Sequence, residues 1–330
     1  MARFIKTLKK TALAASIASL ATVANATIVT SIKPLGFIAS SIADGVTDTE
    51  VLVPAGASPH DYSLKPSDIQ KLQGAELILW VGEDIDAFLD KTLRPMPFKK
   101  VLSIADFAEI GGLLEGEAHD HKHEHDHTHK HDHAHKHEHD HKHDHEHKHD
   151  HAHGHDHDHS TNWHVWYSPE ISKIVATRLA TRLTEAYPEK KEKIAQNLAE
   201  FNRTLAEQSE KIKQQLAPVK EKGFYVFHDA YSYFNNAYGL KQTGYFTINP
   251  LVAPGAKTLA KIKQEIKEHK VNCLFAEPQF TPKVIESLSK GNGVHVGRLD
   301  PMGDAVKLGV NSYANFLQYT ADSYFACLSK

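Results

Sequence analysis

The stretch EKKEKIAQNLAEFNRTLAEQSEKIKQQLA, residues 189–217, decides how the rest of the chain is organised. It holds 29 residues and neither Gly nor Pro, which predicts one continuous helix about 44 Å long at about 1.5 Å per residue. Apolar residues recur along one side of this helix, and charged residues cover the other sides. The apolar stripe consists of Ile194, Leu198, Phe201, Leu205, Ile212 and Leu216. A coiled-coil arm is the competing interpretation, but the stripe is short and globular segments flank it. We therefore predict a linker helix that packs along two domains.

Strands and helices alternate on both sides of this linker. Upstream, the runs TIVT, TEVLVP, AELILWVG and KKVLSI are separated by helical segments such as PSDIQKLQGA and DIDAFLDKTL. Downstream, the runs FYVFHD, YFTIN, VNCLFAE and VHVGRLD are separated by SYFNNAYG, TLAKIKQEIKEHK and PKVIESLS. This alternation predicts βαβ units and parallel sheets.

The predicted fold class is α/β, with two lobes of mainly parallel sheet joined by one long helix. At 330 residues, the chain is long enough for two modest domains with separate cores. The predicted divisions are a signal peptide (1–26), an N-terminal lobe (27–167), a helical connection (168–218) and a C-terminal lobe (219–330).

The amino terminus has the pattern of a secretory signal. Basic residues come first, a small apolar run follows at residues 11–23, and Ala24-Asn25-Ala26 has the A-x-A form of a cleavage site. Cleavage after Ala26 would leave a mature chain outside the cytoplasm; an uncleaved amphipathic helix is the alternative. No comparable apolar run recurs, so we expect no membrane insertion after cleavage. The charge distribution gives no indication of a nucleic-acid partner, and we expect a monomer.

Only two cysteines occur, Cys273 in the predicted strand VNCLF and Cys327 in the last predicted helix. In an oxidising compartment a structural disulfide is the default for such a pair. It would tie the last helix to a core strand. Two separate buried thiols are the alternative.

A histidine-rich tract interrupts the first lobe at residues 117–160. Every second residue from His119 to His159 is histidine, so 21 of the chain's 26 histidines lie there. Five lysines and eleven acidic residues in the same stretch give it a charge of −6, within a net charge of −3. Because the tract lacks apolar residues it cannot bury a core, and we predict a disordered insertion.

Five histidines remain outside the tract: His60, His164, His228, His269 and His295. His60 lies in a Gly/Pro/Ser loop directly after a predicted strand, and His228 ends the first predicted strand of the second lobe. Ligand-binding groups gather at the carboxyl ends of strands in open α/β sheets, so these two are expected to converge on the cleft between the lobes. His164, between the tract and the next helix, is the third candidate. His269 on a charged helix and His295 in a strand are interpreted as ordinary residues.

Three imidazoles that meet at one point favour a borderline-soft divalent cation, and neutral imidazole suits zinc. Three protein ligands leave a fourth position for water or a carboxylate. Because histidine changes its charge near neutral pH, such a site weakens on acidification. For any one of the three, a hydrogen-bonded core or surface residue is the ordinary interpretation. Their joint placement beside a histidine-rich insertion in a secreted chain favours a metal site.

Five motifs, GASPHDYSLKPSD, HVWYSPE, FHDAYSYF, FAEPQF and LDPMG, occur in this order along the mature chain. Together they resemble the signatures of the metal-binding receptors of ABC importers, in the cluster with a rigid helical linker. The acidic histidine-rich insertion before HVWYSP is similar to that of the zinc-specific ZnuA family. The resemblance implies a periplasmic receptor, not an enzyme, that passes Zn²⁺ to the membrane permease subunit. The late cysteine pair also matches the disulfide of some zinc-specific members.

The same resemblance assigns metal ligation to His60 in PHDY, His164 in HVWYSP and His228 in FHDAY. The family's late carboxylate position falls on Asp300. Manganese-type relatives commonly carry a carboxylate at the third position, so a histidine there favours zinc. Some zinc members place a glutamate directly before the first histidine, where this chain has Pro59. The fourth ligand is therefore either Asp300 or water, and we favour Asp300.

Residues beside the predicted ligands are candidates for holding them in place. Asp61 and Asp229 each follow a predicted ligand, and a metal-bound imidazole usually donates its other N–H to a carboxylate or carbonyl. A turn-forming role is the alternative for Asp61. Trp163 and Trp166 flank the second ligand and are expected to shield the site, although core packing is the better interpretation of one of them. Glu277, at a strand end near the cleft, is a further hydrogen-bond candidate.

The tract itself is predicted to be an accessory. Its histidines, for example His119, His121, His123, His157 and His159, can bind zinc at many points. Each capture must order a flexible chain, at about 1–2 kcal/mol per residue fixed. A preformed cleft avoids most of that cost, so we expect the tract to be a weaker zinc collector or sensor.

Other functions remain open from the sequence. A periplasmic zinc store or chaperone would depend on the tract, and a manganese-type receptor of the same family would use the same cleft. A zinc hydrolase would combine three histidines with a bound water. Against a hydrolase, the sequence contains no HExxH run, no G-x-S-x-G elbow and no Gly-rich phosphate loop. Because one continuous helix joins the lobes, we expect small domain movements.

Overall fold

The computed structural model describes residues 27–116, 161–280 and 283–330. The predicted signal peptide (1–26) and the histidine-rich tract (117–160) lie outside the described residues. The predicted accessory ligands therefore lie outside them too: His119, His121, His123, His157 and His159.

The N-terminal lobe is built on a four-stranded parallel sheet in the order β2-β1-β3-β4. The strands are β1 (Thr27–Thr30), β2 (Asp48–Val51), β3 (Leu77–Trp80) and β4 (Val101–Ser103). The helices of this lobe are α1 (Lys33–Ile42), α2 (Pro66–Gly74), α3 (Glu83–Asp86) and α4 (Asp90–Leu93). The central strand β3 is buried along its whole length, which explains its continuous apolar run LILW.

The predicted helix DIDAFLDKTL is interrupted in the structure. It consists of α3, a 3₁₀ turn at Ala87–Leu89 and α4. The cause is Asp86, whose buried carboxylate accepts hydrogen bonds from Ser31 Oγ at 2.7 Å and from the N–H of Val81 at 2.8 Å. Reaching these donors holds Asp86 at φ −104° and ψ 40°, outside helical geometry.

The C-terminal lobe has a second parallel sheet in the order β10-β9-β7-β8, which is the same order relative to the chain as in the first lobe. Its strands are β7 (Phe224–His228), β8 (Gln242–Thr247), β9 (Cys273–Ala276) and β10 (His295–Arg298). Its helices are α7 (Ser232–Tyr238), α8 (Ala256–Lys267), α9 (Lys283–Ser289) and α10 (Ser312–Leu328). A disulfide joins Cys273 in β9 to Cys327 in α10, so the last helix is tied to a core strand as predicted.

The predicted helix TLAKIKQEIKEHK ends three residues earlier than the sequence suggests. His269 adopts the left-handed conformation at φ 55°. The N–H of Lys270 donates to the carbonyl of Glu265 at 3.0 Å, which is the longer bond of a Schellman helix end. His269 therefore terminates a helix, and His295 begins β10 in an exposed position. Neither histidine belongs to the group of mutually close ligand atoms found among the described residues.

Two helices connect the lobes, α5 (Pro169–Ala186) and α6 (Lys191–Leu216). The linker α6 has 26 residues, because 3₁₀ turns replace the ends of the predicted segment 189–217. Asn197 on α6 donates to the carbonyls of Ile42 and Asp44 at 2.9 and 2.8 Å, in the N-terminal lobe. Near the other end, Gln215 donates to the carboxylate of Asp322 on α10 at 2.8 Å. The linker thus packs along both lobes, and the coiled-coil interpretation is wrong.

The two lobes share one continuous core. Phe37 on α1 contacts Phe316 on α10, with ring centroids 5.2 Å apart, and Tyr167 stacks on Phe316 at 5.1 Å. All three side chains are fully buried. Within the described ranges, no helix is long and apolar enough to cross a membrane.

Candidate metal centre

Three histidines from distant parts of the chain meet between the lobes. One ring nitrogen from each of His60, His164 and His228 lies within 4.8 Å of the other two. The ring centroids are 5.6 Å apart for His60–His164, 5.7 Å for His60–His228 and 5.1 Å for His164–His228. The structure therefore brings together the three residues that the sequence singled out.

Each histidine is presented by a different kind of element. His228 is the last residue of β7, and His164 follows β6 (Thr161–Asn162), a short strand that pairs antiparallel with β5 (Glu115–Gly116). His60 lies in the loop after β2, where no regular element holds it. That loop is fastened to the other lobe, because the N–H of Gly56 donates to the carboxylate of Asp304 at 2.7 Å. Gly56 has φ +79°, a conformation that favours glycine.

Glu277 orients the ring of His228. Its two carboxylate oxygens lie 2.7 and 2.8 Å from His228 Nδ1, and Tyr231 donates its hydroxyl to the same carboxylate at 3.0 Å. Glu277 and His228 are both 2% exposed, so this contact is shielded from solvent. A carboxylate accepts at Nδ1, which leaves the Nε2 lone pair of His228 for the site.

Asn162 has the corresponding position beside His164. Its amide oxygen lies 2.7 Å from His164 Nδ1. The Nε2 atoms of His164 and His228 then face each other at 3.2 Å. Two nitrogens bound at about 2.0–2.1 Å to one tetrahedral zinc ion would lie about 3.3 Å apart. The separation in this protein fits that edge of a coordination tetrahedron.

The surroundings keep two of these imidazoles neutral. Burial, together with a smaller contribution from the neighbouring His228, lowers the pKa of His60 from its ordinary 6.5 to about 4. Burial also holds the pKa of His164 well below 6.5, with smaller contributions from His228 and His60. A neutral imidazole is the form that binds a metal ion. The site is therefore ready to bind a cation at neutral pH.

The space enclosed by the three rings is small. Its volume is about 10 Å³, and its other walls include Ser58, Pro59, Trp166, Gln279, Phe280 and Met302. A volume of that size accommodates an ion or roughly one water molecule. Trp166, whose indole N–H donates to the carbonyl of Pro301 at 3.1 Å, is 1% exposed and shields this space as expected. Trp163 is partly buried and packs against the main core.

The predicted fourth ligand, Asp300, is held by three hydrogen bonds. Asp300 is 6% exposed and accepts from the N–H of Met302, the N–H of Asp304 and Gln279 Nε2, at 3.0, 2.7 and 2.9 Å. It does not belong to the group of mutually close ligand atoms found among the described residues. Its role as the fourth ligand stays a prediction.

Asp61 and Asp229, the two carboxylates that directly follow predicted ligands, have different surroundings. Asp61 is exposed, and its N–H donates to the carbonyl of Ser58 at 3.4 Å, which fits the turn-forming alternative. Asp229 Oδ1 accepts from Gln242 Nε2 at 3.1 Å, and its backbone carbonyl accepts from Asn162.

Sequence reasoning missed Asn162 and Asp304. Neither residue lies in a motif with defined spacing, and Asp304 acts on a residue 248 positions away. Only the three-dimensional arrangement reveals these contacts.

The chain is similar to known proteins along nearly its whole length. A family model described as ZnuA, zinc-uptake complex component A, periplasmic, matches residues 28–327. The chain is 68% identical to the high-affinity zinc uptake system protein ZnuA of Haemophilus influenzae, over 98% of this chain and 99% of that protein. It is 44% identical to the protein of the same name from Yersinia pestis, over 92% of each.

Solved structures show the same fold. A crystal structure of ZnuA is similar with a TM-score of 0.69 at 22% identity, covering 92% of this chain and 99% of that one. The periplasmic zinc-binding protein TroA from Treponema pallidum also has a TM-score of 0.69, at 18% identity, covering 93% of this chain and 100% of that one. At these identities the structural matches bear on the fold alone.

Proposed function

The chain belongs to the ZnuA family of periplasmic zinc-uptake components, and from this premise we propose that it is a high-affinity receptor for Zn²⁺. His60, His164 and His228 capture the ion between the lobes, and the receptor delivers it to the membrane permease subunit of an ABC importer. The role is transport, not catalysis, and the ion leaves the protein unchanged.

One observation carries the proposal: two Nε2 atoms face each other at 3.2 Å while each ring has an acceptor at its Nδ1. With both Nδ1 atoms protonated, both Nε2 atoms carry lone pairs, and a cation is the group that binds two lone pairs at once. Burial disfavours a proton on His164. A divalent metal ion is therefore the fitting occupant.

The donor set favours zinc over manganese. Within the described residues, the group of close ligand atoms consists of imidazoles alone. Imidazole suits zinc, whereas manganese prefers carboxylate and other oxygen ligands. For the fourth position we propose Asp300 or a water molecule. An anomalous difference map at the zinc edge would identify the ligand directly.

The enclosed volume argues against a zinc hydrolase. The space of about 10 Å³ between the three rings leaves no room for an organic substrate beside an ion. An open cavity of about 480 Å³ adjoins it at Pro59 and His60, but neither His164 nor His228 lines that cavity. A larger cavity of about 700 Å³ lies on the N-terminal lobe between β4 and α5, and its lining contains none of the three histidines.

Cleavage after Ala26, location in the periplasm and a monomeric state complete the proposal. The histidine-rich tract acts as a weaker zinc collector or sensor beside the tight site. A zinc store that depends on the tract is the alternative function.

Replacement of the three histidines tests this function. The triple variant H60A/H164A/H228A should lose tight zinc binding in calorimetry and should no longer support zinc-limited growth. The matched control is H269A/H295A, which removes two histidines outside the site and should keep both properties. Deletion of residues 119–159 should lower the number of ions bound and leave one tight site. If the triple variant keeps its tight site while the deletion loses it, the protein is a store and not a cleft receptor.

A further inference from the structure

Asn162 lies where the chain returns from the histidine-rich tract. It ends β6, which pairs with β5 from the other end of the tract, so these two strands form a short antiparallel stem. Its side chain is 2% exposed. It contacts His164 on one side and the turn after His228 on the other.

The orientation of the Asn162 amide follows from the chemistry of its partners. Nδ2 lies 2.8 Å from the backbone carbonyl oxygen of Asp229 and 3.2 Å from Ser232 Oγ. A backbone carbonyl has no proton to donate, so only the NH₂ group can face it. The amide oxygen must then face His164, 3.1 Å from its backbone nitrogen and 2.7 Å from Nδ1.

This orientation fixes the tautomer of His164. The amide oxygen also has no proton to donate, so the short contact requires a proton on His164 Nδ1. A neutral imidazole with its proton on Nδ1 carries its lone pair on Nε2. Nε2 is the atom that faces His228 across the site.

The NH₂ group fixes the distance between two ligands. Asp229 directly follows His228, and Ser232 is the first residue of α7. A single side chain therefore holds the ring of His164 against the turn that presents His228. Loss of either half of the amide would leave the two Nε2 atoms free to separate.

We propose that Asn162 is a positioning residue for metal capture, which acts through His164. Its oxygen selects the tautomer whose Nε2 lone pair faces the cation, and its NH₂ group sets the spacing of His164 from His228. The proposal rests on the function proposed above, because it concerns the same cation site.

Tyr233 provides a matched control for a purely structural role. Its hydroxyl donates to the backbone carbonyl of Asn162 at 2.6 Å and accepts from the N–H of Glu115 at 3.0 Å. Y233F therefore loosens the same stem and leaves the amide of Asn162 in contact with His164.

The experiment compares full-length wild type, N162L, N162D and Y233F. Zinc affinity is measured by competition with a chelator, and the tautomer of His164 by long-range ¹⁵N–¹H correlation in metal-free protein. N162L removes the amide at similar size, so its zinc affinity should fall about 10- to 100-fold, and the Nδ1–H signal should give way to a mixture. N162D keeps an acceptor for Nδ1 and should keep the tautomer, but it lacks the NH₂ group that donates to the Asp229 carbonyl, so part of the affinity should remain lost. Y233F should keep both the His164 tautomer and the zinc affinity of wild type, although its Tm should fall.

Two results would overturn the proposal. One is a wild-type protein in which His164 carries its proton on Nε2; this measurement needs no variant and stands even if N162L does not fold. The other is an equal loss of affinity in Y233F and N162L at matched loss of Tm. Failure of the proposed function would look different from failure of this proposal. In that case wild-type protein would have no tight zinc site, and H164A would bind zinc as wild type does.

Discussion

The position of one proton decides whether an imidazole can bind a cation, and neighbouring side chains hold that proton on two of the three rings. Glu277 accepts from Nδ1 of His228, and the Asn162 oxygen accepts from Nδ1 of His164. The two partners differ in charge. The buried carboxylate of Glu277 offsets part of the charge of an arriving Zn²⁺, while the neutral amide supplies orientation alone.

Acidification should destabilise the metal-free protein. The pKa of His60 is about 4 in the folded protein against an ordinary 6.5, and the pKa of His164 is also lowered. Since the unfolded chain binds these protons first, the folded state is fully favoured above pH 6.5 and loses stability as the pH falls towards 4. The loss is about 1.4 kcal/mol per pH unit for His60 in this window, and His164 acts in the same direction. The titratable group that lies against the rings of both His60 and His164 is His228, whose Nδ1 contacts Glu277.

Melting temperatures of metal-free protein across this pH range check the expectation. H60A should show a shallower pH dependence than wild type, whereas H295A, which alters an exposed histidine, should follow the wild-type curve. Identical slopes for H60A and wild type would contradict the assignment.

At the scale of elements, the loop that carries His60 depends on the opposite lobe. Asp304 accepts from the N–H of Gly56 at 2.7 Å, and its own N–H donates to Asp300 at 2.7 Å. Lys33 Nζ donates to the backbone carbonyl of Asp304 at 2.7 Å. One hydrogen bond thus joins the loop to the turn after β10, and Lys33 on α1 adds a second bond between the lobes.

Replacement of Asp304 by alanine should weaken zinc binding without loss of any predicted ligand. Hydrogen bonds to charged groups contribute about 1.5–3 kcal/mol, so we expect an affinity about tenfold lower, seen as faster zinc dissociation in stopped-flow measurements. D322A is the matched control, because Asp322 accepts from the linker at a point remote from the loop. Unchanged dissociation in D304A would show that the loop is held by its own turn structure.

Local patterns account for the parts of the fold that the sequence predicted. The runs at β1, β3, β7 and β9 are apolar and β-branched or aromatic, and the linker has a single apolar stripe, so each identifies its own element. The sequence did not predict the interruption at Asp86, because the hydrogen bonds of its buried carboxylate cause it. It also did not predict the early end of α8, because the left-handed conformation of His269 causes that end. The rule that strand ends gather ligand-binding groups in α/β sheets predicted that His60 and His228 converge, whereas that rule does not cover His164, and the ligand set came from the resemblance to metal receptors. The contact between Gly56 and Asp304 depends on how two lobes dock, and local sequence carries no record of that.

At the scale of the whole molecule, the lobes have little freedom to separate. The linker α6 runs along both of them, and Phe37 packs on Phe316 across their boundary. A wide opening would expose this shared aromatic core, at about 25 cal/mol per Å² of apolar surface.

Zinc binding should therefore change the overall dimensions very little. Small-angle scattering of the variant lacking residues 119–159 reports on the lobes, and its radius of gyration should be the same within error with and without Zn²⁺. Insertion of two glycines into α6 after Leu205 breaks the continuous linker and should allow a measurable difference between the two states, since glycine disfavours helix by about 1 kcal/mol per residue. A large compaction of the uninterrupted protein on zinc binding would mean that the lobes close like a hinge, and that the shared core between Phe37 and Phe316 forms only around the ion.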